Sequence, residues 1–384
     1  MNAILKKKQL GQFFTTNSDN ILCGFEKFIK NKIVVDPFVG VGDLIRWAEK
    51  NKVGKISGYD IDKKHIDGKK IFLNDSLLSP KKYKFVLTNP PYLNVNKADK
   101  QTKDKYFQSS VFEDLYQISI MSVLDSDEGI MIVPLNFLSA ENSEKIRNIF
   151  FEKFDIVKLN IFTTQVFDDT TYNVISFYYR KKKEYKNEMI FDAYIFPEGN
   201  KIKVKLSKAY GWQIGGEFAT KINSVKNVLG VYRLTADHIK NGPVKIKLAF
   251  NNIKDVEDHL VDEQFKKAVE KNILFLRAID SKNGKKIRLE NIRDYKVYGL
   301  IGKNSSRNMA YLLFKNPLPI IEQEKLIECF NRELQEAREK HLSLFLTNFR
   351  DNNRKRISFD FVYKFINYLY LNNLDYAKRQ SALF

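Results

Sequence analysis

The chain has 384 residues, 43% of them hydrophobic, which is enough for two or three packed domains and excludes a disordered or low-complexity chain. Its net charge of +19 favours a polyanionic partner, most simply nucleic acid, over compositional drift towards Lys, Asn and Ile. Two cysteines far apart, Cys23 and Cys329, with no CxxC and no His cluster, argue against a disulfide framework and against a metal site. The first ten residues lack the long apolar core of a signal peptide, and no run reaches the roughly 18 apolar residues that span a bilayer. The expectation is a cytoplasmic protein with no membrane partner.

From residue 32 to about 180, short β-rich runs alternate with helix-like stretches. The runs are 32–36, 55–60, 69–74, 84–89, 129–134, 156–161 and 173–179. Seven strands with intervening helices predict an α/β fold built on a mostly parallel, doubly wound sheet. Ligands in such folds sit at the carboxyl ends of strands. Four polar residues stand at those ends: Asp36, Asp60, Asp75 and Asn89. A charged run, Arg-Lys-Lys-Lys-Glu-Tyr-Lys (180–186), then suggests a boundary, giving a first domain of 1–183 and a second of 184–384. The first carries 29 basic and 22 acidic side chains and the second 36 and 24, so most of the surplus lies in the second. Residues 188–315 mix short strands with turns, and 317–384 read as mainly helical. In the clearest helix, Leu326, Phe330, Leu334 and Ala337 recur at helical spacing, a stripe better suited to a core than to a partner surface.

Several short motifs carry chemistry. Asp-Pro-Phe-Val-Gly-Val-Gly-Asp (36–43) ends a strand and opens a helix, and Gly40 and Gly42 let the backbone approach a ligand. It is neither a dinucleotide fingerprint nor a P-loop, and its acid favours a ligand with a cationic group. Asp60, 24 residues on, stands where an acid accepts from a ribose diol, and Asp75 could accept from an adenine amino group. Any one of these acids alone is more simply a turn former. Three in order on successive strands point to one adenosine-like ligand. Asn89-Pro90-Pro91-Tyr92 stops the fourth strand, because neither proline can donate to a ladder. That rigid turn offers a carboxamide oxygen and a backbone carbonyl, which together can accept both hydrogens of an amine. Tyr92 offers a ring that can stack on a flat heterocycle.

The ordered set Gly-Gln-Phe-Phe-Thr-Thr (11–16), Asp-Pro-Phe-Val-Gly-Val-Gly (36–42), Tyr-Asp-Ile-Asp (59–62), Asn-Asp-Ser (74–76) and Asn-Pro-Pro-Tyr (89–92) resembles the gamma-order N6-adenine DNA methyltransferases, the TaqI-type modification enzymes. The resemblance covers roughly residues 9–180. It implies the class I S-adenosylmethionine-dependent methyltransferase fold, followed by a C-terminal α+β DNA-recognition domain that ends in helices. It implies that Thr15, Asp36, Pro37 and the Gly40 turn hold the methionine portion of S-adenosylmethionine. Asp60 then binds its ribose, Ile61 packs on its adenine, and Asp75 accepts from that adenine's amino group with Ser76 beside it. Asn89, which also borders the cofactor, and the Pro90 carbonyl accept the target amine, Pro91 stiffens the turn, and Tyr92 stacks on the target base. Phe167, or else Tyr172, covers the base's other side. Asp-Leu-Tyr (114–116) matches a family helix lining the cofactor pocket, or is ordinary helix core. The family often has Pro where Thr16 stands, a departure that leaves the local backbone of the first motif in doubt.

An adenine amino nitrogen is a poor nucleophile because its lone pair is delocalised into the ring. Accepting both hydrogens would draw it towards sp³, so positioning and electrostatics carry the expected reaction. The base must first leave the duplex, at a cost of a few kcal/mol. The expected partners are double-stranded DNA and a cognate restriction endonuclease. Arg233, Arg277, Arg288, Arg293 and Arg307 are candidate DNA contacts in the second half. The competing readings are a protein glutamine N5-methyltransferase, an RNA adenine N6-methyltransferase, and a DNA-binding protein with an inactive methyltransferase fold.

Overall fold

The computed structural model describes residues 17–167, 172–281, 283–284, 286–348 and 354–374. The chain divides into two compact units. One holds the described residues up to Gly216 and the other those from Glu217 onwards.

The first unit is built on a single nine-stranded sheet. Its strands are β1 (Ile33–Asp36), β2 (Lys55–Asp60), β3 (Ile71–Leu73), β4 (Tyr83–Thr88), β5 (Ser126–Pro134), β6 (Phe154–Phe162), β7 (Val174–Lys181), β8 (Glu188–Phe196) and β9 (Asn200–Ser207). Their order is β3-β2-β1-β4-β5-β7-β6-β8-β9. Strands β1 to β5 pair in parallel, and β7 runs antiparallel to both β5 and β6. The first seven strands form the expected mostly parallel, doubly wound sheet, and all seven expected runs form strands. The central strand β4 is buried at every position but Lys84, as befits a strand covered on both faces. The helices that matter for the site are α1 (Asp43–Lys50), α2 (Leu115–Ser122) and α3 (Glu144–Lys153).

The expected boundary after 183 falls inside this sheet. The charged run at 180–186 is the link from β7 to β8, and β8 pairs in parallel with β6 from Lys158 to Phe162. Met189, Phe191, Ala193 and Ile195 of β8 face the core. On β9, Lys201 and Lys203 each reach Asp192 at 2.8 Å. Lysines on an outermost strand discourage further strand addition, which explains their place there.

The second unit is α+β. Strands β10 (Val231–Arg233), β13 (Leu274–Arg277), β14 (Arg288–Asn291) and β16 (Met309–Phe314) form one sheet in the order β10-β16-β13-β14. Strands β11 (Val244–Phe250), β12 (Asn252–Val261) and β15 (Leu300–Ile301) form another. Side chains alternate across the larger sheet. Leu274, Leu276, Leu312 and Phe314 join a core with α6 (Ile320–Lys340) and α7 (Phe359–Leu369), packed with α4 (Gly216–Asn223). Phe275, Tyr311 and Leu313 face the other core, against β11, β15 and α5 (Glu263–Glu270). Leu326, Phe330, Leu334 and Ala337 are all buried, so the stripe on α6 serves the core. No helix among the described residues is long and apolar enough to cross a membrane.

Candidate active site

Strand order reverses between β1 and β4, and the crevice at such a point is where doubly wound sheets take their ligands. Asp36 ends β1 and Thr88 ends β4. The Asp36 Oδ1 atom accepts from the Phe38 N–H at 2.9 Å and from the Thr88 hydroxyl at 2.8 Å, so the two strand ends are tied across the crevice. Asp36 is 1% exposed, and its burial pushes the carboxyl up to about 7, against the help of both hydrogen bonds; nearby Asp60 adds to the rise. Its side chain therefore shapes the crevice floor. Pro37, next to it, is buried as well.

The turn that follows is fixed by close packing. Gly40 and Gly42 have φ of +57° and +82°, left-handed conformations that favour glycine. The Val39 N–H donates to the Tyr59 carbonyl at 3.0 Å. A side chain at Gly58 would lie 2.1 Å from the Val39 Cγ2 atom and 2.6 Å from the Asp36 carbonyl oxygen, so β2 reaches the turn only because Gly58 has none. Above Gly40 there is open space, with nothing within 4 Å of where its Cβ would stand.

Asp60, at the end of β2, is 5% exposed. Its carboxylate accepts from the Gly40 N–H at 2.7 Å and from the Asp62 N–H at 2.7 Å, with the His65 Nδ1 atom 3.4 Å away. An ionised carboxylate has about four acceptor positions, so Asp60 retains capacity for a diol. Ile61, next in the chain, is half-buried. Asp75 follows β3, and its acceptors are more fully used. Its Oδ1 atom takes the Leu77 N–H at 3.2 Å, and its Oδ2 atom takes Lys105 Nζ at 2.7 Å and the Tyr106 hydroxyl at 3.0 Å. An amine arriving at Asp75 would have to share or displace Lys105, the half-exposed member of the group. Ser76 is buried and accepts from the Asn74 amide at 3.2 Å. Behind this corner, Leu93, Ala98, Phe107 and Leu115 form a small apolar cluster, with Leu77, Tyr106 and Ile118 against it. Leu115 and Tyr116 are thus helix core, and the Tyr116 hydroxyl meets Ser143 Oγ at 2.7 Å.

Asn89 and Tyr92 form the last part of the site. Tyr92 is 4% exposed, and burial holds its hydroxyl protonated, far above the usual tyrosine value. That hydroxyl lies within hydrogen-bond reach of the Asn89 carboxamide oxygen and, at 2.8 Å, of the Ile132 carbonyl of β5. With one hydrogen it serves one of them at a time. The Tyr92 ring centroid is 6.5 Å from that of Phe167 and 6.4 Å from that of Tyr172, tilted to the first and edge-on to the second. Phe167 is buried and Tyr172 half-buried. Asn89 and the three aromatic residues are therefore brought together. Thr15 lies outside the described residues.

Four residues escaped the sequence reading: Thr88, His65, Lys105 and Tyr106. Thr88 is the one with a local signal, since it ends a strand beside Asn89. The other three lie in segments without pattern, and only the fold carries them to the acids.

Residues 7–167 match the family model described as Eco57I restriction-modification methylase. That segment is similar to restriction-modification methylases. It holds every strand-end residue described above and amounts to less than half of the chain. No curated protein matches the chain in sequence. Among solved structures, the M protein of the type I restriction enzyme EcoKI is 14% identical, with 48% of this chain and 49% of that one covered and a TM-score of 0.37. A modification subunit of a putative type I restriction enzyme from Vibrio vulnificus is 13% identical, with coverage of 73% and 59% and a TM-score of 0.39. The type IIG restriction endonuclease BpuSI is 10% identical, with coverage of 88% and 56% and a TM-score of 0.43. This chain spans about half the length of these structures.

Proposed function

We propose that the chain is a sequence-specific DNA methyltransferase of the gamma, TaqI-type order, which methylates the N6 amino group of a flipped-out adenine as the modification partner of a restriction endonuclease. The observation that carries this reading is the placement of Asn89. Its carboxamide stands at the carboxyl end of β4, beside the point where strand order reverses, with the Tyr92 hydroxyl within reach of its oxygen and the Phe167 and Tyr172 rings next to that of Tyr92.

The open space above Gly40, beside the carboxylates at the ends of β1 and β2, fits a nucleoside with a cationic tail. Asp60 would hold a ribose diol, Ile61 and the apolar cluster around Leu77 and Tyr106 would border the cofactor's adenine, and Asp75 would accept from its amine. S-adenosylmethionine, when bound, supplies an electrophilic methyl group. The work of the chain's own residues is then positional. Asn89 Oδ1 and the Pro90 carbonyl accept the two hydrogens of the target amine, which lifts electron density onto nitrogen. Pro90 and Pro91 hold those acceptors at fixed backbone angles. Tyr92 with Phe167 or Tyr172 would offset the cost of unstacking by roughly 1–3 kcal/mol per base.

The test is transfer of a labelled methyl group from S-adenosylmethionine to duplex DNA, RNA and protein, with the DNA product digested to nucleosides. N6-methyladenine in DNA is the expected product. Label in protein or RNA alone would overturn the reading.

A further inference from the structure

The five arginines of the second unit that sequence offered as DNA contacts are sorted by their surroundings. Arg277 and Arg288 share one carboxylate, Glu290, at 2.7 and 2.5 Å, and Arg277 also donates to the Tyr295 hydroxyl at 2.9 Å. Arg293 donates to the Glu270 carbonyl at 2.5 Å, at the end of α5. Arg233 donates to the carbonyls of Ser306 and Asn304 at 2.7 and 2.6 Å and lies 5.0 Å from the Phe359 ring centre. These four are committed to the unit's own architecture. Arg233 in particular holds the loop that carries Arg307, which is exposed.

Arg307 is not isolated. Just past β13, Ala278 takes a neighbour on each side. Its N–H donates to the Asn308 carbonyl at 2.8 Å, and its carbonyl accepts from the Ile357 N–H at 3.0 Å. Ile279 bridges to Arg356, and the Asp280 N–H donates to the Lys355 carbonyl at 3.0 Å. Residues 307–308 and 354–357 therefore flank the same end of β13. Arg356 and Arg307 are close enough that burial and then Arg307 lower the Arg356 pKa. Exposed Lys286 precedes Ile287, whose N–H is bound to Asp280 Oδ1 at 3.0 Å, and exposed Lys303 starts the loop that Arg233 holds. Asp280 is turned inwards, in a two-pronged ion pair with Arg338 at 2.9 and 2.8 Å. At the rim, Asp237 accepts from the Asn304 amide at 2.8 Å and Asp360 pairs with Lys364 at 2.7 Å. Gathering cations this way costs repulsion, which a polyanion on this end would offset.

We propose that this end of β13, centred on Arg307 and Arg356 with Lys286 and Lys303 beside them, grips the phosphodiester backbone of duplex DNA without reading its bases. The choice of DNA rests on the function proposed above; the cationic surface itself does not. Each phosphate neutralised releases counterions, so log affinity falls with log salt by about 0.9 per contact.

The experiment is fluorescence anisotropy of the full chain with a labelled duplex of arbitrary sequence, without cofactor, across a salt series. Arg307→Gln with Arg356→Gln should make the salt slope shallower by about 2. Because Arg356 is half-buried, Lys303→Gln with Arg307→Gln is the second variant, and a thermal melt checks that both fold. Arg288→Gln should leave the slope unchanged. An unchanged slope in the folded double variants, an equal change in Arg288→Gln, or no duplex binding by the wild type would each overturn the proposal. A slope change seen with duplex RNA but not DNA would overturn the choice of DNA. Methyl transfer to DNA measured on the same samples separates the two readings. Transfer with no slope change sinks the surface alone, and a slope change without any transfer sinks the methyltransferase reading alone.

Discussion

The two units handle buried charge in opposite ways. In the first, Asp36 is buried beside Asp60 and held by a hydroxyl and a backbone N–H. In the second, Asp280 is buried against Arg338, with the backbone of Ile287 and Lys355 on the same carboxylate. The first arrangement leaves an acid that titrates near neutrality at the head of a crevice. The second is a closed ion pair that ties a loop, a short strand and a helix together. One unit concentrates its unsatisfied electrostatics at a single edge of a sheet, and the other spends its charges on architecture and keeps a basic rim.

That contrast can be broken at several points. The largest effect is expected for Asp280→Ala, which leaves Arg338 buried without its partner and should cost roughly 3–5 kcal/mol of stability, read as a fall in the urea midpoint. Little change would remove Asp280 from its role as tie. Asn89→Ala should lower methyl transfer by about 100-fold or more while cofactor affinity, followed by equilibrium binding, stays within about twofold. Retained transfer would remove Asn89 as an amine acceptor.

Asp36 gives a pH test with a defined sign. The unfolded carboxyl titrates near 3.8 and the folded one near 7, so the folded state holds the extra proton between them. The stability it contributes is complete below about pH 4 and is lost as pH rises through 7, with roughly 2 kcal/mol lost between about pH 5 and 7. Asp36→Asn should flatten that fall in denaturant melts, and an unaltered profile would place the titration elsewhere. The smallest effect is expected for Tyr92→Phe, which keeps the ring and removes the hydroxyl that reaches Asn89 and Ile132. A change in transfer of about tenfold or less is expected, and an effect as large as that of Asn89→Ala would make the hydroxyl itself essential.

Much of the first unit was legible because its information is local. A strand that stops at an acid, a glycine or two prolines marks its own end, and doubly wound sheets collect those ends on one edge. The limit at 183 failed for a related reason. A run of lysines looks like a boundary, yet here it links β7 to β8, and β9 carries its own lysines as the sheet's outer edge. What escaped altogether was long-range pairing. Asp36 with Thr88, Asp75 with Tyr106, and Asp280 with Arg338 are separated by 52, 31 and 58 residues, and no spacing rule joins them. In the second unit such pairings decide almost everything, which is why five arginines looked alike in the sequence although four of them are tied to partners within the unit.

The single hydrogen on Tyr92 has a consequence for the cost of admitting a ligand. A buried donor that loses its acceptor normally forfeits about 1–3 kcal/mol. Here the Ile132 carbonyl stands ready at 2.8 Å, so the hydroxyl can turn from Asn89 to the backbone and remain bonded. An amine arriving at the Asn89 oxygen would then meet no competition from the tyrosine hydroxyl, which stays bonded to the backbone. Built this way, the turn can exchange an internal tenant for a visiting one at nearly constant hydrogen-bond count, and discrimination falls to the shape and stacking of the visitor.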